Sequence, residues 1–117
     1  HQYGLWRVQR HGESALLGCC GLREVGTEAE LVVAIDPREH RRGYAREAAL
    51  AVLTHAFGPL KLRRVIAMCD PGNVAGRGLS RALGMREQHV TRAAALGHHV
   101  DVVVHEVLRE DLAKVAR

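Results

Sequence analysis

Two segments with helical spacing sit among six runs of strand length, and that order constrains the fold more than any other feature of the sequence. Residues Tyr3–Arg10 alternate loosely and lead through His11 and Gly12, a turn signal, into Ser14–Leu22, which predicts a hairpin. Glu30–Ile35 is apolar and rich in branched residues, so it reads as a buried strand stopped by Asp36-Pro37. From Ala45 the small and apolar residues fall at Ala48, Ala49, Val52 and Ala56, widened by Leu50, Leu53 and Phe57. That spacing predicts a helix over Tyr44–Phe57, ended by Gly58-Pro59. Arg64–Cys69 follows as a strand closed by the Asp70-Pro71-Gly72 turn. Asn73 is placed to cap a short helix with Ala75, Leu79, Ala82 and Leu83 on one side and Gly84 as its terminator. Gln88–Ala93 and Val100–Leu108 read as two strands joined by a loop with Gly97. Hairpins and crossovers are thus combined, which predicts an α/β (α+β) chain with a mixed sheet and rules out a simple parallel dinucleotide-binding fold.

The second helix carries a warning. Gly76 and Gly78 should each cost roughly 1 kcal/mol against alanine, so either the helix packs tightly or something approaches its backbone closely.

A chain of 117 residues with 47% hydrophobic and 26% charged residues is expected to form one domain, residues 1–117. Its longest apolar runs, Leu31–Ile35 and Val100–Val104, are far short of the roughly 20 residues that span a bilayer. The net charge of +4 favours anionic partners. Its densest basic group, Arg38 with Arg41 and Arg42, flanks a glycine turn, which suits one compact phosphate site better than a nucleic-acid face with basic stripes and stacking aromatics. Cys19, Cys20 and Cys69 give an odd count, and the first two are adjacent, so a reducing, cytoplasmic setting is expected. The sequence opens at His1 rather than methionine, and its start reads as cut.

The sharpest local feature is a buried strand, then His40-Arg41-Arg42-Gly43-Tyr44-Ala45, then a helix. Such a turn aims backbone N–H groups at one point, and the helix N-terminus adds partial positive charge, which together make an anion site. A glycine at Gly43 allows a positive φ or close approach of a ligand, and the small Ala45 lets the helix pack on its strand. A plain surface turn is the competing reading on spacing alone.

Ala29-Glu30-Leu31 through Asp36-Pro37, then Arg42-Gly43-Tyr44-Ala45-Arg46-Glu47-Ala48, closely resembles the acetyl-CoA motif of the GNAT superfamily of N-acetyltransferases, and most of all its RimJ/RimL type. The likeness continues through Asp70-Pro71-Gly72-Asn73-Val74-Ala75, Leu83-Gly84-Met85, Asp101-Val102-Val103-Val104 and Leu108-Arg109-Glu110-Asp111. The resemblance implies a twisted, mostly antiparallel sheet with helices packed on it. It also implies transfer of acetyl from acetyl-CoA to a primary amine, either a protein N-terminus or a small molecule. Arg41, Arg42, Gly43, Tyr44 and Ala45 would bind the pyrophosphate. Val33, Ala34 and Ile35 would offer a strand edge to pantetheine, and Asn73 would also contact the cofactor besides capping its helix. His40 departs from the Gln or Arg usual three residues before the glycine, which bears on affinity.

Attack of a neutral amine on a thioester needs a proton acceptor, donors for the oxyanion, and help for the leaving thiolate. Glu30 matches a position that many relatives use to accept the proton; a water-facing or substrate-orienting residue is the alternative. Where many relatives carry a tyrosine that protonates the thiolate, this chain has Ser80, a hydroxyl donor or a solvated helix residue. Trp6 reads as a core anchor or an acceptor-site wall, Cys19 and Cys20 as core and near-core residues, and His98-His99 as a polar loop, so no metal is expected. Relatives begin with a further strand and two helices that wall the acceptor site, and nothing here matches them. A fragment, a reduced homologue and a homodimer whose partner closes the site remain open. The second function class is a non-catalytic acyl-CoA-binding module. A nucleic-acid binder with steep salt dependence is the third.

Overall fold

The computed structural model describes residues 4–9, 16–25, 27–35, 43–95 and 98–115. Among them are strands β1 (Gly4–Gln9), β2 (Leu16–Val25), β3 (Glu28–Ile35), β4 (Arg64–Cys69), β5 (Arg86–Ala95) and β6 (His98–Leu108), with helices α1 (Tyr44–Phe57), α2 (Val74–Ala82) and α3 (Arg109–Val115). The strands form one sheet in the order β1-β2-β3-β4-β6-β5. Only β3 and β4 run parallel, joined by the α1 crossover, so the sheet is mixed and mostly antiparallel as expected. His11, Gly12, Asp36, Pro37 and Gly97, which the sequence marks as turns or stops, lie outside the described residues.

Burial explains why α1 forms where the periodicity puts it. Ala49, Val52, Leu53, Ala56 and Phe57 are all buried, and the helix packs over β2, β3 and β4. Its inner face meets Cys20, Leu22, Leu31, Val65 and Val107, the centre of the hydrophobic core. Gly58 closes the helix by donating its N–H to the Thr54 carbonyl at 2.9 Å.

The opposite face of the sheet is crossed by charge. Arg23 of β2 pairs with Glu30 of β3, and Arg64 of β4 with both Glu28 and Glu106. Arg86 of β5 then reaches Asp111 of α3 at 3.1 Å. Register places these residues in line, since Arg23 stands opposite Glu30 and Arg86 opposite Glu106. Glu30 and Glu106 are largely enclosed while Arg23 is open to water, so attraction is offset by desolvation and the row ties neighbouring strands together more than it adds stability.

Several expectations are corrected. Glu30–Ile35 is buried only at its start: Ala29, Glu30 and Leu31 are enclosed, whereas Val33 and Ile35 are partly open and Ala34 is exposed. Trp6 is no core anchor. It stands 44% exposed, its ring edge-to-face with His55 at 5.7 Å. The C-terminal strands extend further than their apolar runs, and α3 follows them without having been anticipated.

Candidate functional site

The parallel pairing of β3 with β4 registers at one position, Glu30 opposite Ile66. Toward the end of β3 beyond that pair lies a cleft of about 650 Å³. Val33 and Ile35 form its strand wall, Gly43 to Arg46 one helical wall, and Asn73 with Val74, Ala75, Gly76, Gly78, Leu79 and Ala82 of α2 the other.

Local chemistry accounts for each wall. Gly43 precedes α1 with φ 81 and ψ −1, a left-handed conformation, and an added Cβ there would meet nothing within 4 Å. Glycine is therefore required by the backbone conformation and not by crowding. Among the described residues no side chain caps the first turn of α1. A helix N-terminus without a capping side chain is a natural seat for an anionic oxygen.

On the far wall, Asn73 caps α2 by accepting the Gly76 N–H at 2.8 Å through its side-chain oxygen. The neighbouring turn is braced by Asp70, whose carboxylate accepts the Gly72 N–H at 2.8 Å. Gly78 shows nothing within 4 Å of an added Cβ, so it faces open space. Of the two explanations for the helical glycines, the open approach applies to Gly78. Gly76 is instead crowded by the Asn73 side chain, 2.8 Å from where a Cβ would stand.

Of the residues marked by the sequence, Val33, Ile35, Gly43, Tyr44, Ala45 and Asn73 converge on this cleft. Ala34 belongs to the same strand segment but lies opposite Cys19 of β2 and does not line the cleft. Arg41 and Arg42 lie outside the described residues. Glu30 sits at the single ladder pair with β4, its side chain 7% exposed, and is therefore not a water-facing residue. One of its oxygens accepts both Arg23 Nε at 3.0 Å and a terminal Arg23 nitrogen at 2.6 Å. Ser80 is 6% exposed, on the inward side of α2, and is not among the cleft-lining residues. Of the face of α2 expected to pack inward, Leu83 is in the core and Leu79 rests against it, while Ala75, Leu79 and Ala82 line the cleft. Arg46, Val74, Ala75, Gly76, Gly78, Leu79 and Ala82 were not singled out as site residues; the glycine pair was the one signal available for them.

A second, smaller groove of about 380 Å³ lies between β1, β2 and α1, lined by Trp6, Val8, Cys20, Ala48, Val52 and His55 among others. Burial, with Cys19 beside it, pushes the Cys20 thiol up to about 11, so Cys20 stays a neutral core residue. Cys69 is likewise raised by burial. Among the described residues no group of three metal-ligating side chains assembles, and no helix is long and apolar enough to cross a membrane.

Comparison with known proteins agrees with this architecture. The chain is 32% identical over 92 residues to the uncharacterized protein YkkB of Bacillus subtilis, covering 75% of this chain and 54% of that protein. An acetyltransferase of the GNAT family from Bacillus anthracis superposes with a TM-score of 0.75 at 28% identity, covering 85% of this chain and 62% of that one. The spermidine/spermine N-acetyltransferase SpeG of Vibrio cholerae shares the fold at a TM-score of 0.81 and 20% identity, over 100% of this chain and 73% of that one. The chain spans 31% to 54% of the length of the curated relatives it matches. The profile of the acetyltransferase (GNAT) domain matches residues 1–86, which carry β3, β4 and the Gly43 turn, and the chain belongs to that family.

Proposed function

We propose that this domain binds acetyl-CoA in the cleft between α1 and α2 and transfers its acetyl group to a primary amine. The observation that carries the reading is the β3–β4 ladder of a single pair, which leaves the end of β3 without a ladder partner on the β4 side, next to a left-handed glycine that opens α1 with no capping side chain among the described residues. The first supplies strand edge for an amide-bearing arm, and the second supplies N–H groups for phosphate. Gly43, Tyr44 and Ala45 would hold the pyrophosphate together with Arg41 and Arg42; Val33, Ala34 and Ile35 would border pantetheine, and Asn73 would close the far side.

Acetyl-CoA supplies an activated acyl carbon. The amine nitrogen forms the new C–N bond, the C–S bond breaks, and the amine's proton must go to a base. Glu30 is our candidate acceptor. Its carboxylate lies at the single β3–β4 ladder pair, on the sheet face opposite the core-packed Leu31, so an amine would approach from the face away from α1. Arg23 fixes the orientation of that carboxylate. Ser80 is our candidate donor to sulfur, although in this structure it is buried and outside the cleft lining; a thiol with an ordinary pKa near 8.5 departs with modest help. The likeness to a polyamine enzyme and the RimJ/RimL-type motifs both fit a primary amine acceptor.

Calorimetry with acetyl-CoA tests the reading directly. Micromolar binding that disappears in Gly43→Glu supports it, and CoA release with a panel of amines then separates an enzyme from a binding module. A folded wild-type chain that binds no acetyl-CoA would overturn it.

A further inference from the structure

His105 is 1% exposed in the middle of β6, and neither ring nitrogen has a hydrogen-bond partner among the described residues. It stands opposite Ala67 of β4 on one side and Glu87 of β5 on the other. Its Nε2 lies 3.7 Å from Glu87 Oε1. That same oxygen accepts a terminal nitrogen of Arg77 at 2.7 Å. Arg77 belongs to α2, and its other terminal nitrogen donates to the Pro71 carbonyl at 3.0 Å, in the turn that leads to Asn73. One carboxylate oxygen thus sits between a buried imidazole and the guanidinium that ties α2 and its preceding turn to the sheet.

We propose that Glu87 and His105 position the α2 wall of the cleft through Arg77, and that a proton on His105 competes with Arg77 for the shared oxygen and loosens that wall. Neither residue lines the cleft, so both act at a distance from any ligand. The inference rests on the reading of the cleft as the acetyl-CoA site.

The groups facing His105 set the direction. Burial pushes its pKa below the ordinary histidine value, Glu87 of β5 pulls it back up, and Arg77 and Arg81 of α2 push it further down. From β4 the nearest ionisable side chain is Cys69, two residues beyond Ala67, and burial keeps it neutral. Arg77 holds the Glu87 carboxyl below its usual range, so Glu87 stays anionic as His105 titrates. His105 is therefore neutral at pH 7.5, and acidification below about 6.5 brings a cation to the oxygen that Arg77 uses. The unfolded chain takes up this proton more readily, so the contribution to stability is complete above about pH 6.5 and declines below it.

The test follows acetyl-CoA affinity of the whole chain by calorimetry from pH 7.5 to 5.0, in wild type, His105→Gln and Glu87→Gln. The expected result is a weakening of about fivefold or more in wild type on acidification, beyond the change seen in either variant. A wild-type step retained in Glu87→Gln would overturn the proposal, because it would arise from the ligand's phosphates or another group. Glu87 is half exposed, so its variant serves if His105→Gln fails to fold. In parallel, the amide signals of Asn73 and Gly76 should shift with pH at the midpoint of the His105 ring. Amides that ignore that midpoint would sink the coupling even if the chain bound no acetyl-CoA, an outcome that would instead count against the cofactor reading.

Discussion

α1 and α2 face each other across one cleft but are held by different forces. α1 has fourteen residues and buries five apolar side chains in the core. α2 has nine, and the side chain it buries is the hydroxyl of Ser80. Beyond Leu79 and the following Leu83, which pack on the core, what fixes α2 is polar: the Asn73 cap, the Arg77 bonds to Pro71 and Glu87, and the backbone turn closed at Gly84, which takes φ 78. Hydrophobic burial is non-directional and insensitive to pH, whereas hydrogen-bonded ties are directional and can be exchanged. The cleft therefore has one wall that belongs to the core and one that can be adjusted.

The contrast fails first if the core wall proves soft. Leu53 is fully enclosed, and Leu53→Ala should lower stability by about 2–5 kcal/mol in urea unfolding. A loss below about 1 kcal/mol would mean that α1 is no better anchored than α2. Next in size is the cap: Asn73→Ala should cost about 1 kcal/mol, read by the same unfolding, and should weaken acetyl-CoA binding as well. Smallest, and opposite in sign, is Gly78→Ala, which should raise stability by about 0.5–1 kcal/mol because its Cβ meets open space. Gly76→Ala sharpens the comparison. Its Cβ would press on the Asn73 side chain, so thermal melting should show no gain there.

The core wall was legible in the sequence; of the polar wall, the Asn73 cap and the Gly84 stop were legible, and the ties through Arg77 were not. Tyr44–Phe57 and Arg64–Cys69 appear at the boundaries that their patterns predict, because periodic burial and Gly-Pro punctuation report on a core. On α2 the same rule holds only in part. Leu83 is in the core and Leu79 packs against it, but Ala75, Leu79 and Ala82 also line a cleft and Ser80 is enclosed, and periodicity cannot separate a surface meant for a ligand from one meant for the interior. Gly43 was legible through its position before a helix. His105 was not, since a histidine inside an apolar strand carries no sign of whether it faces Glu87 or water. α3 escaped because it is seven residues long, too short for a period to emerge; its start is instead set by Asp111 accepting the Leu108 N–H at 3.1 Å. β2 and β5 outrun their apolar patterns through Arg23, Glu24 and Arg86, held by ladder pairing and the row of ion pairs.

The single ladder pair between Glu30 and Ile66 has a thermodynamic corollary. Three strands stand on either side of it, and α1 packs across the join against β2, β3 and β4. A ligand lodged in the cleft would touch β3 and α1 on one side and α2 on the other, so part of its binding energy would become cohesion between them. By mass action, a ligand at a hundredfold excess over its Kd adds about 2.7 kcal/mol to the folded state, a large fraction of what an entire domain of this size possesses. Occupancy and folding would then be one equilibrium, and the domain's robustness would follow the supply of the molecule that fills the cleft.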